Sequence, residues 1–129
     1  MDGKLEILET EDVCFHMAIE MGQQTLLGVK LIQSGDLIAV FQGRAENIQH
    51  LTIYRIKPKE QTHSIVADRA VEQPVKAVAL GNNGGFIKTA DSLLTLDYET
   101  GIISYLCRIT IQPDTMCVVG KLLVFSAGT

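Results

Sequence analysis

The segment Pro74-Val75-Lys76-Ala77-Val78-Ala79-Leu80-Gly81 carries the pattern that decides the fold. It is a short apolar run that ends at a glycine, as a β-strand entering a tight turn does. Two other segments follow the same pattern: Gly28-Val29-Lys30-Leu31-Ile32-Gln33-Ser34-Gly35 and Asp114-Thr115-Met116-Cys117-Val118-Val119-Gly120. The sequence therefore predicts three related strands, each stopped by a glycine.

A second apolar strand follows each of these segments at once. These second strands are predicted at residues 37–41, 85–89 and 121–125, and each forms a hairpin with the strand before it. Two of the hairpins are followed by a third and a fourth strand, at residues 51–54 and 64–66 and at residues 94–97 and 102–106. We expect an all-β chain whose unit is a four-stranded antiparallel sheet.

The N-terminal stretch also alternates with a period of two residues. Residues 4–8 and 13–21 place apolar side chains at every second position, which is typical of strands. The second stretch also fits an amphipathic helix over residues 11–27, because Val13 and Met17 are four residues apart. We interpret both stretches as strands, at residues 4–8 and 13–19.

The three turn glycines are spaced as in an internal repeat. The distance along the chain is 46 residues from Gly35 to Gly81 and 39 residues from Gly81 to Gly120. Passing from Gly120 through the chain end and on to Gly35 covers 44 residues, so the N-terminal strands are predicted to complete the last unit. The three units then cover residues 28–70, 74–108, and 114–129 plus 1–21.

One further segment carries a resemblance to a known family. Leu94-Thr95-Leu96-Asp97-Tyr98-Glu99-Thr100-Gly101 is similar to the third strand of a WD40-like blade and the Asp-x-x-Thr-Gly turn after it. Asp97 suits capping of this turn, and Gly101 suits its left-handed closing position. Over nearly the whole chain, the sequence resembles a WD40-like β-propeller, in which N-terminal strands complete the last four-stranded blade.

The chain departs from this family in two respects. It has neither a Trp-Asp nor a Gly-His dipeptide, so the family's Asp-His-Ser/Thr-Trp hydrogen-bond network is not carried over. Propellers have four to eight blades, and three blades cannot close a ring. The resemblance therefore implies either a six-bladed ring made by two copies of the chain, or a larger propeller completed by another polypeptide or by further sequence. A sheet fold that is not a propeller is the remaining alternative.

Composition narrows the class of protein. Of the 129 residues, 47% are hydrophobic and 20% are charged, which fits one globular domain and excludes a disordered chain. No run is long enough to span a membrane and no signal peptide is present, so we expect an intracellular protein without a membrane partner. The 15 acidic side chains outnumber the 11 basic ones, which argues against a nucleic-acid partner.

Chemistry-bearing residues form no recognisable catalytic or metal motif. The cysteines Cys14, Cys107 and Cys117 are odd in number and widely spaced, which predicts buried thiols rather than a disulfide framework or a zinc site. The three histidines have no metal-ligand spacing, and no serine lies in a Gly-x-Ser-x-Gly turn. The glycine-rich segment at residues 81–85 lacks the Lys-Ser/Thr of a phosphate loop and predicts a hairpin turn. We expect neither catalysis nor a cofactor.

The resemblance implies a binding surface made of loops. In such propellers, the loops that join strand four to strand one and strand two to strand three share a rim that receives partner peptides. Mapped onto this chain, that rim carries these polar residues: Arg44, Glu46, Asn47, Asp68, Arg69, Glu72, Gln73, Asp91, Gln112 and Asp114. Arg44 and Arg69 are the strongest candidates, because arginine is enriched at interaction hot spots and grips carboxylates with two hydrogen bonds.

The expected function is that of a non-catalytic protein-interaction scaffold. Its loops or open blade faces would bind a partner protein or peptide, and the rigid sheets would keep the entropic cost of binding low. The alternative is a ligand-binding, sugar-binding or enzymatic propeller with a pocket at the central channel. The three units share a strand framework but no repeated polar or aromatic ligand motif, which favours the scaffold.

Overall fold

The structure is a computed structural model that describes residues 3–8, 16–111, 115–120 and 122–126. These residues form twelve β-strands and no helix, so the predicted all-β class is confirmed. The strands are β1 (Gly3–Leu8), β2 (His16–Gly22), β3 (Thr25–Leu31), β4 (Leu37–Ala45), β5 (Ile48–Lys57), β6 (Thr62–Val71), β7 (Ala77–Leu80), β8 (Gly84–Lys88), β9 (Ser92–Asp97), β10 (Ile103–Arg108), β11 (Thr115–Val119) and β12 (Leu122–Ser126). The helix considered for residues 11–27 is replaced by β2 and β3 over the described part of that range.

All pairings between neighbouring strands are antiparallel. β3, β4, β5 and β6 form one four-stranded meander, the first sheet, and β7, β8, β9 and β10 form another, the second sheet. β1 pairs with β2 in the N-terminal hairpin, and β11 pairs with β12 in the C-terminal hairpin. The predicted four-stranded antiparallel sheet is therefore present twice in the described residues.

The first sheet buries both of its faces, because apolar residues occupy consecutive positions of its central strands. On one face, Ile38, Val40 and Ile53 pack against residues of the second sheet, among them Ile87 and Leu96. All five side chains are at most 2% exposed, and each contributes about 1.5–3 kcal/mol by leaving water. This layer between the two sheets is the main core.

The opposite face of the first sheet packs against the N-terminal hairpin. Phe41 and Tyr54 meet edge to face with ring centroids 5.6 Å apart, and Leu5, Ile7 and Ile19 cover them from β1 and β2. At the other end, β11 lies against β7 of the second sheet. The order of layers is therefore N-terminal hairpin, first sheet, second sheet, C-terminal hairpin.

The expected completion of the last unit by N-terminal strands stays a prediction. The two hairpins lie at opposite ends of the stack, with two four-stranded sheets between them, and no sheet of the described residues joins β12 to β1. Among the described residues of a single copy, β1 and β2 form one two-stranded sheet and β11 and β12 another. The described sheets form an open stack, not a closed ring.

The turn from β9 to β10 forms as predicted. The Asp97 carboxylate accepts hydrogen bonds from the backbone N–H groups of Glu99 at 2.8 Å and Thr100 at 3.3 Å. Gly101 has a φ of 74°, in the region that favours glycine. Both the predicted cap and the predicted left-handed position are confirmed.

The glycine-rich segment is a hairpin turn, also as predicted. It joins β7 to β8, and the Gly81 N–H donates to the Gly84 carbonyl at 2.9 Å. The hydroxyl of Tyr98 donates to the Gly81 carbonyl at 2.9 Å. Burial raises the pKa of Tyr98 to about 12, so this hydroxyl keeps its proton at neutral pH.

Candidate functional site

Four strand connections meet at one end of the stack, which we call the upper rim. They are residues 23–24, 46–47, 72–76 and 89–91. The Gln42 side-chain oxygen accepts a hydrogen bond from the Val75 N–H at 2.8 Å, which ties the first sheet to the connection that leads into the second. The rim carries two recesses, each next to several of the residues predicted from the sequence.

The first of these, the Arg44 recess, has a volume of about 260 Å³. Its lining comes from β2, β4, β5, β6 and the β2–β3 connection: Gly22, Gln23, Gln24, Gly43, Arg44, His50, Thr52 and Asp68. A Cβ at Gly43 would lie 3.1 Å from Cγ of Gln24. Because glycine has no side chain, the β2–β3 connection can approach β4 at this position, and this approach narrows the recess.

Three polar side chains of the Arg44 recess form a small cluster. Nδ1 of His50 lies 3.4 Å from Oδ1 of Asp68, and the Thr52 hydroxyl donates to the same oxygen at 3.4 Å. His50 and Thr52 thus share the Asp68 carboxylate rather than contacting each other. The cluster does not place a hydroxyl nucleophile on a histidine base, as acyl-transfer catalysis requires.

Two further groups of this recess are not engaged by other described residues. Arg44 is exposed, and its guanidinium forms no ion pair with a described carboxylate. The side-chain oxygen Oε1 of Gln24 is buried and has no hydrogen-bond partner in the described structure. Two residues that line the same recess, Arg44 and Gln24, therefore each carry a hydrogen-bonding group without a described partner.

The second recess, the Asp91 recess, has a volume of about 390 Å³ and lies where the two sheets meet. The residues lining it are Val71, Glu72, Gln73, Thr89, Asp91, Ser92 and Leu94. The Ser92 hydroxyl donates to the Asp91 carboxylate at 2.9 Å. The structure thus brings Glu72 and Gln73 of one loop together with Asp91 of another.

The other predicted rim residues are more scattered. Glu46 and Asn47 are exposed and form the β4–β5 turn with left-handed φ values of 53° and 66°. Arg69 is exposed on β6 and lines neither recess. Gln112 and Asp114 lie outside the described residues.

Sequence reasoning did not single out Gln24, His50 or Thr52. In the sequence, His50 is one of three histidines without metal-ligand spacing, and only the pairing of β5 with β6 brings it to Asp68. The available signal was Thr52, a polar residue between Leu51 and Ile53 that is only 5% exposed. A buried hydroxyl in an apolar strand needs a partner nearby, and here that partner is Asp68.

The end of β8 holds a buried cation. Lys88 is 2% exposed, and its ammonium donates to the carbonyls of Thr89 and Ala90. Loss of hydration lowers the pKa of Lys88 below its ordinary value. Two backbone carbonyls therefore take the place of water around this ammonium.

The lower rim, at the opposite end of the strands, carries a bridge between the two sheets. Arg55 of β5 donates from Nε to Asp36 at 2.8 Å and from Nη1 to Glu99 at 3.1 Å. These hydrogen bonds raise the pKa of Arg55. Because Glu99 lies in the β9–β10 turn, this bridge is part of the framework that supports the stack.

Metal-binding groups are not gathered in the described part of the chain, where no three His, Cys, Asp or Glu side chains lie close enough to hold an ion. Cys107 and Cys117 are free thiols, and Cys117 is exposed. The prediction of buried thiols is therefore wrong for Cys117, because it lies on the uncovered face of the C-terminal hairpin. Cys14 lies outside the described residues.

Comparison with known proteins leaves the family open: the sequence matches no protein-family model and no curated protein. Within the described ranges, there is no helix of the length and apolarity needed to cross a membrane.

Proposed function

We propose that this chain is a non-catalytic protein-interaction scaffold that binds a peptide segment of a partner protein in the Arg44 recess. One observation carries the proposal: Arg44, which forms no ion pair with a described carboxylate, lines the same recess of the rim as Gln24, whose amide oxygen Oε1 is buried without a described hydrogen-bond partner. Both groups are suited to a ligand that offers an acceptor and a donor. A peptide offers both at short spacing.

The chemistry of the recess selects an acidic peptide. A buried acceptor without a partner costs about 1–3 kcal/mol, and a peptide N–H that reaches Gln24 would remove that cost. Arg44 would grip a carboxylate with two parallel hydrogen bonds. The Asp68 carboxylate is already engaged by His50 and Thr52, so it competes only weakly for Arg44.

The stacked meanders support a WD40-like propeller portion as the framework. The first and second sheets follow each other face to face, and their first strands β3 and β7 are neighbours, as they are in successive blades. Further blades would come from another polypeptide or a second copy of the chain. We place the protein inside the cell, because free thiols such as Cys107 and Cys117 persist in a reducing compartment.

Selection from a displayed random-peptide library tests the proposal. We expect the purified chain to enrich peptides that contain Asp or Glu. Arg44→Ala should weaken binding of an enriched synthetic peptide about tenfold or more, because a charge-assisted hydrogen bond contributes about 1.5–3 kcal/mol.

Lys59→Ala is the matched control. Lys59 is an exposed cation at the β5–β6 turn, on the lower rim, so its removal changes the net charge equally and leaves the recess intact. If both variants weakened peptide binding equally, the net charge of the protein and not the Arg44 recess would determine binding, which would contradict the proposal. Failure to enrich any peptide would contradict the proposal.

A further inference from the structure

The edge strand β3 of the first sheet leaves apolar side chains uncovered. Leu26, Val29 and Leu31 of β3 are 41%, 48% and 60% exposed. In the register with β4, Leu26 stands opposite Phe41, so these side chains share the sheet face that the N-terminal hairpin covers elsewhere. We call these three residues the β3 patch.

The N-terminal hairpin does not extend over this patch. Its side chains Leu5, Ile7 and Ile19 pack on the cluster formed by residues of β4 and β5. In the described sheets, β1 pairs only with β2, so the hairpin has room for a further strand. An apolar surface and an open sheet edge therefore occur in the same layer of the stack.

The C-terminal hairpin has a matching uncovered face. Its inner side, which includes Met116 and Val118, packs against the second sheet. Its outer side exposes Val119 at 58%, Leu122 at 66% and Val124 at 46%. We call these three residues the hairpin patch.

The edge of this hairpin is also open. β12 reads Leu-Leu-Val-Phe-Ser and keeps an unbroken register with β11, and in the described sheets it pairs with no other strand. Natural edge strands are protected against pairing by charges, prolines or bulges, and the described residues of β12 have none of these. Over residues 122–125, the described sheets therefore offer an unprotected edge to a strand from another molecule.

The stack itself shows how such a hairpin is seated. Val78 of β7 packs over Gly28 of β3, and Val118 of β11 packs over Gly81, the residue directly after β7. Each first strand thus lies against the first strand of the preceding sheet. The position before β3 is vacant in this series, and the β3 patch is the surface that an occupant would cover.

We propose that a second copy of this chain fills that position. The hairpin patch of one copy packs on the β3 patch of the other, and β12 pairs with the partner's β1 to give a four-stranded sheet in the order β11-β12-β1-β2. Two intervening sheets prevent a copy from doing this with its own hairpin. The dimer interface is isologous: the hairpin patch of each copy contacts the β3 patch of the other, so the two copies make the same contact twice around a twofold axis. The proposal goes beyond peptide binding and uses surfaces other than the Arg44 recess.

Light scattering of the purified chain, coupled to size exclusion over a tenfold dilution series, tests the proposal. We expect a particle of twice 14.1 kDa. Val124→Lys in the hairpin patch and Val29→Lys in the β3 patch should each give a monomer. Tyr105→Lys, at a side chain that is 64% exposed on β10, is the matched control and should stay dimeric.

Mixing the two variants gives the sharper readout. Each variant alone spoils both interfaces of its dimer, whereas a mixture of Val124→Lys and Val29→Lys retains one intact interface. We expect the mixture, and not either variant alone, to form a two-chain particle. Leu122→Lys and Leu31→Lys provide a second pair, and circular dichroism shows which variants keep their sheets.

Three results would overturn the proposal: a wild-type monomer, a mass that keeps growing with concentration, or a mixture that stays monomeric although both variants are folded. A wild-type monomer that still binds acidic peptides through Arg44 would remove this interface and leave the proposed function standing. A dimer that binds no acidic peptide would support this interface and contradict the proposed function.

Discussion

Gly101 shows how a single residue fixes the spacing of the two sheets. Its φ is 74°, and a Cβ at this position would lie 2.5 Å from the Val66 carbonyl oxygen of β6. The absence of a Cβ at this residue thus permits both the left-handed turn and the close approach of the β9–β10 turn to β6. The turn follows from the sequence, whereas the approach is visible only in the fold.

Gly101→Ala should lower the free energy of unfolding by about 3 kcal/mol. The left-handed backbone costs a residue with a Cβ roughly 1–2 kcal/mol, and overlap with a packed neighbour adds roughly 1–3 kcal/mol. Gly35→Ala is the control, because Gly35 has a φ of 90° and no atom within 4 Å of its Cβ position; it should lose only about 1 kcal/mol. Urea unfolding measures both variants, and equal losses would contradict the close approach.

Tyr98 gives the fold a dependence on alkaline pH. Its folded pKa is about 12, above the unfolded value near 10. The stability that this tyrosine contributes is therefore complete below about pH 10 and is lost as pH rises through about 12.

The comparison with Tyr98→Phe isolates this contribution. At pH 8 the wild type should be more stable by about 1–2 kcal/mol, because the variant leaves the Gly81 carbonyl without its donor. Between pH 10 and 11 that advantage should shrink by about 1 kcal/mol. Urea unfolding at several pH values measures it, and a constant difference would show that Tyr98 is not buried in this way.

At the scale of elements, the hairpins were predictable and their neighbours were not. Gly35, Gly81 and Gly120 each follow a first strand, and the structure places a hairpin at each of them. Local backbone preference is enough for such turns. The packing of the N-terminal hairpin on β4 and β5 depends on contacts between residues far apart in the chain, which strand periodicity does not encode.

For the upper rim too, the local features were predictable from the sequence and the long-range contacts were not. Arg44 and Asp91 could be assigned to loops from strand order, but the recess around Arg44 depends on Gln24 and His50, which come from different strands and connections. Arg69 belongs to the predicted rim by sequence and lies on β6 outside both recesses. Its role in partner binding stays a prediction.

Arg55 is the element-scale link between the sheets. Its side chain is 19% exposed and its partner Asp36 is 15% exposed, so water screens this pair only partly. Arg55→Met should lower the free energy of unfolding by about 2 kcal/mol, since hydrogen bonds to charged groups contribute roughly 1.5–3 kcal/mol.

Lys4→Met is the control for Arg55→Met. Lys4 and its partner Glu20 are 58% and 73% exposed at a distance of 3.6 Å, and such surface pairs contribute at most about 1 kcal/mol. Thermal or urea unfolding compares the two. If Lys4→Met lowered the free energy of unfolding as much as Arg55→Met, the explanation that burial strengthens the Arg55 bridge would be wrong.

At the scale of the whole molecule, the order of the layers explains which apolar side chains are buried and which are exposed. The layer between the two sheets is closed by Ile38, Ile53 and Ile87, all 0% exposed. The two ends of the stack leave the β3 patch and the hairpin patch open. Uncovered apolar surfaces of this kind mark interaction sites in soluble proteins, and the polar rim beside them offers a separate site.

The central claim is that an acidic peptide binds in the Arg44 recess, and NMR titration of the labelled protein with such a peptide tests it most directly. The account predicts that the side-chain amide signals of Gln24 and the backbone signals of Arg44 and His50 shift together and saturate, while those of Lys59 and Glu99 on the lower rim stay in place. Shifts centred on the lower rim or on β12, with Gln24 unmoved, would contradict it.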